Sequence, residues 1–387
     1  MSQRCYFKLF VSIAFVMCLP CLSRGQAAPP AANANTGKPW VCAYYLSGDD
    51  GTKRLPATAI DYTAITHLIH FGLFPNADGT LGPVSGVIPE SDSKTVITLA
   101  HAAGCKVIVC MGTDEGSKKL RAALTDAIRP TLVKTLVQFV VSRGYDGLDL
   151  DVEPLGDNDV AAYTKFVPEL RAALDAAKPG LLLTAAVASQ PAMFAKLQSN
   201  FDRINLMTYD NSGPWPGHKT WYNASLYGAG TEMMNAKEDY PSVDETVKQY
   251  EAAGIAPGKL GIGVAFYGYV WSRVSGPKQS VVGLTDKDVD DGADYSLIMD
   301  QFYQPSRYHW DDQAKAPYLS VDAPDPKDSK FVSYDDARLC ALKIDYVKQQ
   351  KLGGVIIWEL GGGYRANQPV GQRDPLLQAV KKAWLTP

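Results

Sequence analysis

The sequence predicts an α/β fold, a closed (β/α)8 barrel of the TIM type with a small α+β insertion between strands 7 and 8. The first observation is an alternation, along residues 39–387, of short apolar runs with longer segments of helical periodicity. The second is that most of these runs are continuously apolar, as in parallel strands covered on both faces. The third is a composition of 46% hydrophobic and 20% charged residues, which is typical of globular proteins and excludes wholesale disorder.

Eight strands are predicted in chain order, each as an apolar run bounded by polar or turn-forming residues. They are residues 40–45, 65–74, 106–112, 147–153, 181–188, 204–209, 259–267 and 353–358. Helices are predicted at 94–103, 129–143, 158–177, 243–253 and 336–350. Four of the helical patterns end at a glycine of the type that caps helices, namely Gly104, Gly144, Gly180 and Gly254. A doubly wound open sheet is the alternative, but eight units in a chain of this length favour a closed barrel.

The connection between the seventh and eighth strands is unusually long. About 85 residues separate Tyr267 from Gly353, far more than a crossover needs. Glycine, proline and aspartate are frequent there, together with several aromatic residues. We therefore predict that the catalytic barrel (39–387) carries an insertion subdomain at 271–332. Because barrel enzymes build their sites at the carboxyl ends of the strands, this insertion is expected to wall the cleft.

The amino-terminal segment is predicted to direct export. Basic residues precede an apolar run at 9–22, and a small-residue cleavage site follows it, so residues 1–27 are predicted to be a signal peptide. The run is shorter than the roughly 20 residues of a transmembrane helix, and we expect no integral membrane segment after its removal. Residues 28–38 have the composition of a disordered lead-in. The protein is expected to be secreted or periplasmic.

Charge and cysteine use argue against several kinds of partner. The net charge is -3 and no long basic stripe occurs, so no nucleic-acid partner is expected. Four cysteines follow the predicted signal peptide, three of them in apolar runs where a buried thiol is the common outcome. No spacing of cysteine and histidine matches a metal-ligand pattern. We expect a monomer with no disulfide framework, no metal and no cofactor.

The most informative segment is a row of carboxylates in the fourth strand. Asp149, Asp151 and Glu153 alternate with leucine and valine, which places them on one face of a strand, about 7 Å apart in succession. Such proximity at low dielectric should raise at least one pKa, so that one carboxyl stays protonated near neutrality. A solvated acidic loop or a Mg²⁺ or Ca²⁺ site is the alternative. The apolar interleaving favours a buried strand, where idle carboxylates would be costly, with Glu153 as the general acid.

Residues 146–153 resemble the Asp-Gly-x-Asp-x-Asp-x-Glu signature of glycoside hydrolase family 18, the chitinases, at every position. Further segments are similar to motifs of that family and occur in the same order along the chain. They are Met207-Thr208-Tyr209-Asp210, residues 259–268, residues 310–318 and residues 353–358. The resemblance covers essentially all of the chain from Trp40 onward, and it implies a barrel glycoside hydrolase.

The resemblance also implies a retaining, substrate-assisted mechanism, in which the 2-acetamido oxygen of the substrate replaces the usual carboxylate nucleophile. In this scheme Glu153 protonates the leaving oxygen and later deprotonates the attacking water. Asp151 orients the acetamido N–H and stabilises the developing positive charge. Asp149 exchanges a proton with Asp151, and Tyr209 donates its hydroxyl to the acetamido group.

Six further residues are expected to bind the sugar chain. They are Asp210, Met207, Trp358, Tyr44, Tyr267 and Trp215. By resemblance, Asp210 binds sugar polar groups and Trp358 forms the floor under the distorted sugar. For the three other aromatic residues, packing at the rim is the alternative to a sugar platform.

The chain also departs from the family pattern. Cys110 and Thr113 stand where the third-strand motif Ser-x-Gly-Gly has serine and glycine. A thiol is a weaker hydrogen-bonding group than a hydroxyl, so this departure bears on the tuning of Asp149. Tyr269 occupies the place of a common arginine, and Asn211 begins the segment where Phe-His-Gly is common.

These observations predict an exported chitinase that acts on chitin or N-acetylglucosamine oligosaccharides. Three alternatives stay open: an endo-β-N-acetylglucosaminidase acting on N-glycans, a peptidoglycan hydrolase, and a non-hydrolytic chitin-binding lectin. A broad cleft with few aromatic platforms would favour the first alternative. Lectins of this type usually lack the catalytic acid, so Glu153 argues against the third.

Overall fold

The computed structural model describes residues 39–47, 54–82, 88–113, 118–215, 218–228 and 242–385. The predicted signal peptide (1–27) and lead-in (28–38) lie outside these ranges. In the described ranges, no helix combines the length and the apolar character needed to cross a membrane.

Eight parallel strands close into a barrel, which confirms the predicted fold class. They are β1 (Trp40–Leu46), β2 (His67–Leu73), β3 (Lys106–Met111), β4 (Gly147–Asp151), β5 (Leu182–Val187), β6 (Arg203–Leu206), β7 (Leu260–Ala265) and β13 (Gly354–Trp358). Neighbours in sequence pair from β1 to β7, and β13 pairs with both β7 and β1 to complete the ring. All eight carboxyl ends therefore meet at one mouth, where barrel enzymes bind their substrates.

Helices cover the outside of the barrel, except that α7 (Tyr295–Gln301) lies within the insertion and packs against its sheet. Those in the described ranges are α1 (Glu90–Ala102), α2 (Lys118–Ala123), α3 (Arg129–Arg143), α4 (Val160–Ala177), α5 (Pro191–Leu197), α6 (Val243–Ala252), α7 (Tyr295–Gln301), α8 (Ala337–Gln350), α9 (Leu360–Gly363) and α10 (Pro375–Leu385). The four glycines predicted to end helices all have positive φ angles, between 75° and 99°. Glycine adopts this left-handed conformation without the steric cost that a Cβ would add.

A five-stranded antiparallel sheet forms the insertion between β7 and β13. Its strands, in spatial order, are β10 (Tyr308–Asp311), β11 (Ala316–Val321), β12 (Lys330–Tyr334), β8 (Tyr267–Ser272) and β9 (Val289–Asp294). The sheet starts at Tyr267 and ends at Tyr334, so the predicted bounds of 271 and 332 both lie inside it. The apolar run predicted as one strand at 259–267 contains the whole of β7 and the first residue of β8, separated only by Phe266.

The interior of the barrel holds a small cluster of packed side chains. Its buried members are Cys42, Tyr44, Ile69, Ile108, Cys110, Leu182, Ala186 and Ile356. β4 and β5 approach closely at Gly147, where only glycine fits, because a Cβ there would lie 2.4 Å from the carbonyl oxygen of Leu182. The interior is therefore filled up to the level at which the carboxylates of β4 begin.

Candidate active site

The carboxyl end of β4 carries the predicted row of acids. Asp149 is fully buried and Asp151 is 7% exposed, and both belong to β4. The strand ends at Asp151, so Glu153 lies two residues beyond it and not within it as the alternation predicted. The carboxyls of Asp151 and Glu153 are hydrogen-bonded to each other. Such a bond requires that one of the two carry a proton.

Asp149 is held by three donors from three other strands of the barrel. Tyr44 Oη on β1 donates to Asp149 Oδ2 at 2.7 Å, and the Thr184 hydroxyl on β5 donates to Oδ1. The Cys110 thiol, directly beside Asp149 in the register of β3 and β4, also hydrogen-bonds this carboxyl. Burial raises the pKa of Asp149, and the three donors act against that shift by stabilising the carboxylate.

The outer two acids have raised pKa values for related reasons. Burial, then the charges of Glu153 and Asp149, holds the pKa of Asp151 well above its usual range. Burial also raises the pKa of Glu153; its hydrogen bond with Asp151 opposes this shift, and the charge of Asp210 adds to it. The pair therefore retains a proton at a pH where free carboxyls have lost theirs, which is what a general acid requires.

The segment after β6 supplies the opposite wall. The Tyr209 ring is buried edge-on against Tyr267, with ring centroids 6.0 Å apart. Gly263 on β7 makes room for it, because a Cβ there would lie 2.6 Å from Tyr209 Cδ1. Asp210 has a left-handed φ of 59°, and its Oδ1 accepts hydrogen bonds from the hydroxyls of Tyr267 (2.5 Å) and Tyr269 (3.0 Å). Tyr269, where the family commonly has arginine, thus gives Asp210 a neutral donor.

Trp358 closes the mouth at the end of β13. Its ring lies 5.1 Å from that of Tyr44 and 5.3 Å from that of Phe71, measured between centroids. Its carbonyl oxygen accepts a hydrogen bond from Phe266 N at 2.7 Å, which ties β13 to the junction of barrel and insertion. The indole is packed against aromatic rings and remains partly exposed toward the cleft.

Seven of the ten predicted site residues line one cavity of about 430 Å³. They are Asp151, Glu153, Met207, Tyr209, Asp210, Tyr267 and Trp358. A second cavity of about 390 Å³ shares Asp210, Tyr267 and Trp358 and extends to Arg54, Asp294 and Glu359. The two cavities are adjacent, because Asp210, Tyr267 and Trp358 line both, and we refer to them together as the cleft.

The other three predicted residues lie elsewhere. Asp149 and Tyr44 are buried below the cavity, where their mutual hydrogen bond supports the acids above them. Trp215 is 46% exposed, stacks edge-on against His218 and lines neither cavity.

Sequence reasoning missed two groups of residues. Thr184 is a lone hydroxyl in an otherwise apolar strand, and that pattern is a signal that could have identified it. Arg54, which pairs with both Asp294 and Glu359, comes from a segment before β2 that carries no such signal. In the part of the chain that the structure describes, no three His, Cys, Asp or Glu side chains are grouped as metal ligands.

A β/α barrel with an inserted sheet and a row of proton-sharing carboxyls below an aromatic cleft defines a class of glycan-processing proteins. The family model described as "Glycosyl hydrolases family 18" matches residues 41–363. The chain belongs to this family, which confirms the resemblance seen in its motifs.

Two relatives and one solved structure illustrate the similarity. A probable endochitinase of Caenorhabditis elegans is 30% identical over 285 residues, which cover 67% of this chain and 44% of the relative. Chitinase B of Serratia marcescens is 29% identical over 320 residues, covering 67% of this chain and 63% of the relative. This chain thus spans less than two thirds of either relative. The crystal structure of a Rhizomucor miehei chitinase has a TM-score of 0.72 and 25% identity, covering 89% of this chain and 99% of that chain.

Proposed function

We propose that the protein is a chitinase that hydrolyses β-1,4-linked N-acetylglucosamine glycans, with chitin or chito-oligosaccharides as substrates. The observation that carries this proposal is the hydrogen-bonded pair of Asp151 and Glu153 in one cavity with Tyr209 and Trp358. Relatives named as chitinases support the substrate class.

Glu153 is the general acid and base of the proposed reaction. It gives its proton to the glycosidic oxygen as the bond from that oxygen to the anomeric carbon breaks. The acetamido oxygen of the substrate attacks the same carbon and forms an oxazolinium ion. Water then opens this ion, and Glu153 takes a proton from the water, so the configuration is retained. The raised pKa of the pair keeps the proton available for the first step.

Asp151 and Tyr209 orient the acetamido group. Asp151 Oδ1 is buried and has no hydrogen-bond partner among the described residues, so it is free to accept the acetamido N–H. Tyr209 lines the same cavity and can donate its hydroxyl to the acetamido oxygen. Asp149, below them, holds or releases a proton as Asp151 changes partner. Preorganised groups of this kind stabilise charge as it develops in the transition state.

The cleft offers room for several sugars. Trp358 presents an indole face to the cavity, and the apolar face of a pyranose packs on such a ring. The second cavity continues past Tyr267 and Asp210, so the glycan chain can extend in that direction. We propose that the protein acts outside the cytoplasm, because residues 1–27 have the pattern of a signal peptide.

A thiazoline analogue of the oxazolinium ion tests the proposed participation of the acetamido group. We expect competitive inhibition of chito-oligosaccharide hydrolysis, because the analogue places its ring where Asp151 and Tyr209 bind the intermediate. Inhibition constants are measured with chitohexaose, and N-glycan and peptidoglycan fragments are assayed in parallel. Hydrolysis of chitohexaose without competitive inhibition would contradict the mechanism. Hydrolysis of only N-glycan or peptidoglycan fragments would contradict the substrate class.

A further inference from the structure

We propose that Thr113 is a positioning residue that fixes the main chain of the catalytic acid Glu153. The inference rests on the proposed function, since it concerns the group that protonates the leaving oxygen. Thr113 Oγ1 donates a hydrogen bond to the carbonyl oxygen of Glu153 at 2.6 Å. Thr113 Oγ1 also accepts a hydrogen bond from Glu153 N at 2.8 Å.

This pair of bonds replaces a strand ladder that has already ended. The last pair between β3 and β4 joins Met111 to Leu150, and Gly112 N turns away to the carbonyl oxygen of Leu73 on β2. β3 itself ends at Met111, before the level of Glu153. Pro154, which follows, has no N–H with which to continue pairing. A single hydroxyl can donate once and accept twice, so Thr113 can make both bonds at the same time.

Cys110 lies on β3, and Thr113 follows two residues after that strand ends. Cys110 hydrogen-bonds the carboxyl of Asp149, at the inner end of the row of acids, and Thr113 binds the main chain at its outer end. β3 and the two residues that directly follow it therefore contact the row of acids at both ends. Glycine, which the third-strand motif of the family has at the position of Thr113, supplies no hydroxyl and cannot make this contact.

The expected effect of removing the hydroxyl is on the proton transfer. A displacement of about 1 Å at a reacting group can lower a rate on the order of 100-fold. We expect Thr113→Val to lower kcat for chitohexaose by about 10- to 100-fold, with KM changed less than about threefold. Thr113→Ser keeps the hydroxyl and should retain kcat within about threefold of the native value.

Thr66 provides a matched control at the opposite end of the barrel. Its Oγ1 accepts a hydrogen bond from Val41 N at 2.9 Å and donates one to the carbonyl oxygen of Val41 at 3.1 Å. Thr66→Val therefore removes the same two kinds of bond far from the acids, together with a contact of the hydroxyl with His67 Nδ1 at 2.8 Å. We expect it to lower the melting temperature by as much as Thr113→Val does, or more, while leaving kcat unchanged.

The readout that separates positioning from general structure is the dependence on the leaving group. A dinitrophenyl glycoside departs without protonation, so Thr113→Val should lose less than about threefold on the dinitrophenyl chitobioside while losing 10- to 100-fold on chitohexaose. Equal losses on both substrates, or a native kcat in Thr113→Val, would overturn the proposal while the native enzyme remains a chitinase. A failure of Thr113→Ser to restore kcat would also overturn it. No hydrolysis of either substrate by the native protein would instead refute the proposed function, and this inference with it.

Discussion

The three acids at the end of β4 differ in what surrounds each carboxyl group. Asp149 has donors on both oxygens, supplied by side chains of β1, β3 and β5. Asp151 has the Glu153 carboxyl as its neighbour and an unpartnered Oδ1 within the described structure. The inner acid is thus equipped to carry charge, and the outer two to share a proton. This difference in hydrogen-bond partners along one strand lets chemically similar groups serve, in the proposed mechanism, as an acid and as its electrostatic partner.

Asp210 tunes the acid through space, which gives a prediction with a definite sign. The charge of Asp210 raises the pKa of Glu153, so the substitution Asp210→Asn, which removes that charge, should lower the pKa of Glu153. Because the acid is lost as the pH rises through its pKa, the alkaline limb of kcat/KM should move to lower pH. The asparagine retains an oxygen to accept the bonds from Tyr267 and Tyr269. The measurement is a pH profile at low ionic strength, since Asp210 is open to solvent.

Asp291→Asn is the control for that experiment. Asp291 lines the second cavity, and its charge raises the pKa of Asp210. The substitution Asp291→Asn therefore removes a like charge farther along the cleft. We expect its alkaline limb to coincide with that of the native protein. An unmoved limb in Asp210→Asn, or equal shifts in the two variants, would show that Asp210 does not set the pKa of Glu153.

Individual residues were predictable where the chain itself brings them together. The alternation of Asp149, Asp151 and Glu153 is local, so their common location was evident from the sequence. The donors to Asp149 come from three other strands, and their roles depend on a register that no single segment reveals. Tyr44 was expected at the sugar site and instead lies beneath it, because its ring points into the filled interior of the barrel.

Strand ends matter more for this site than strand interiors. β4 ends at Asp151, and the prediction that it continues to 153 followed from an alternation that persists after pairing has stopped. In the same way, the run 259–267 reads as one strand although β7 and β8 belong to different sheets. In both segments the residue pattern continues past the end of the strand, and such a pattern alone does not mark where the chain changes direction.

A buried ion pair fixes the junction of barrel and insertion. Lys343 Nζ on α8 lies 2.6 Å from Asp335 Oδ2, and both side chains are almost completely buried. The same carboxylate oxygen accepts a hydrogen bond from Ala265 N at the end of β7, at 3.2 Å. The pair therefore joins the end of β7, two residues before the inserted sheet begins at Tyr267, to α8, the helix that leads back into the barrel.

Replacing one member of this ion pair should destabilise the fold more than replacing both members. Lys343→Met leaves the buried Asp335 carboxylate without its cation, and we expect the free energy of unfolding to fall by about 3–5 kcal/mol. Asp335→Asn combined with Lys343→Met should recover most of that loss. Burial already raises the pKa of Asp335, and the loss of Lys343 raises it further. The defect should therefore be largest above that pKa and diminish as the pH falls below it.

Denaturant unfolding at several pH values measures these differences. The native protein and the double variant serve as references. A single variant as stable as the double variant at neutral pH, or a defect that grows as the pH falls, would contradict this account of the pair.

At the scale of the described molecule, the order of the eight barrel strands was predicted correctly, because buried parallel strands are strong local signals. The insertion was evident from its length, whereas its pairing order, β10-β11-β12-β8-β9, joins segments more than 50 residues apart in sequence. The outcome is a cleft lined by the acids at the end of β4, by residues that follow β6 and by the first strand of the inserted sheet. The cleft suits the neutral glycan that we propose as substrate, since the polar groups of a glycan match the carboxyl and hydroxyl partners that the cleft presents.

The most direct test of substrate-assisted hydrolysis by Glu153 is a timed, anomer-resolved analysis of products from chitohexaose. The native protein and Glu153→Gln are compared, with circular dichroism and oligosaccharide binding as checks on folding. We expect the native protein to release β-anomers first, and Glu153→Gln to bind chitohexaose with turnover reduced by several orders of magnitude. Initial α-anomers, or turnover by Glu153→Gln near the native rate, would contradict the account. Tight binding by both proteins without cleavage by either would identify a lectin.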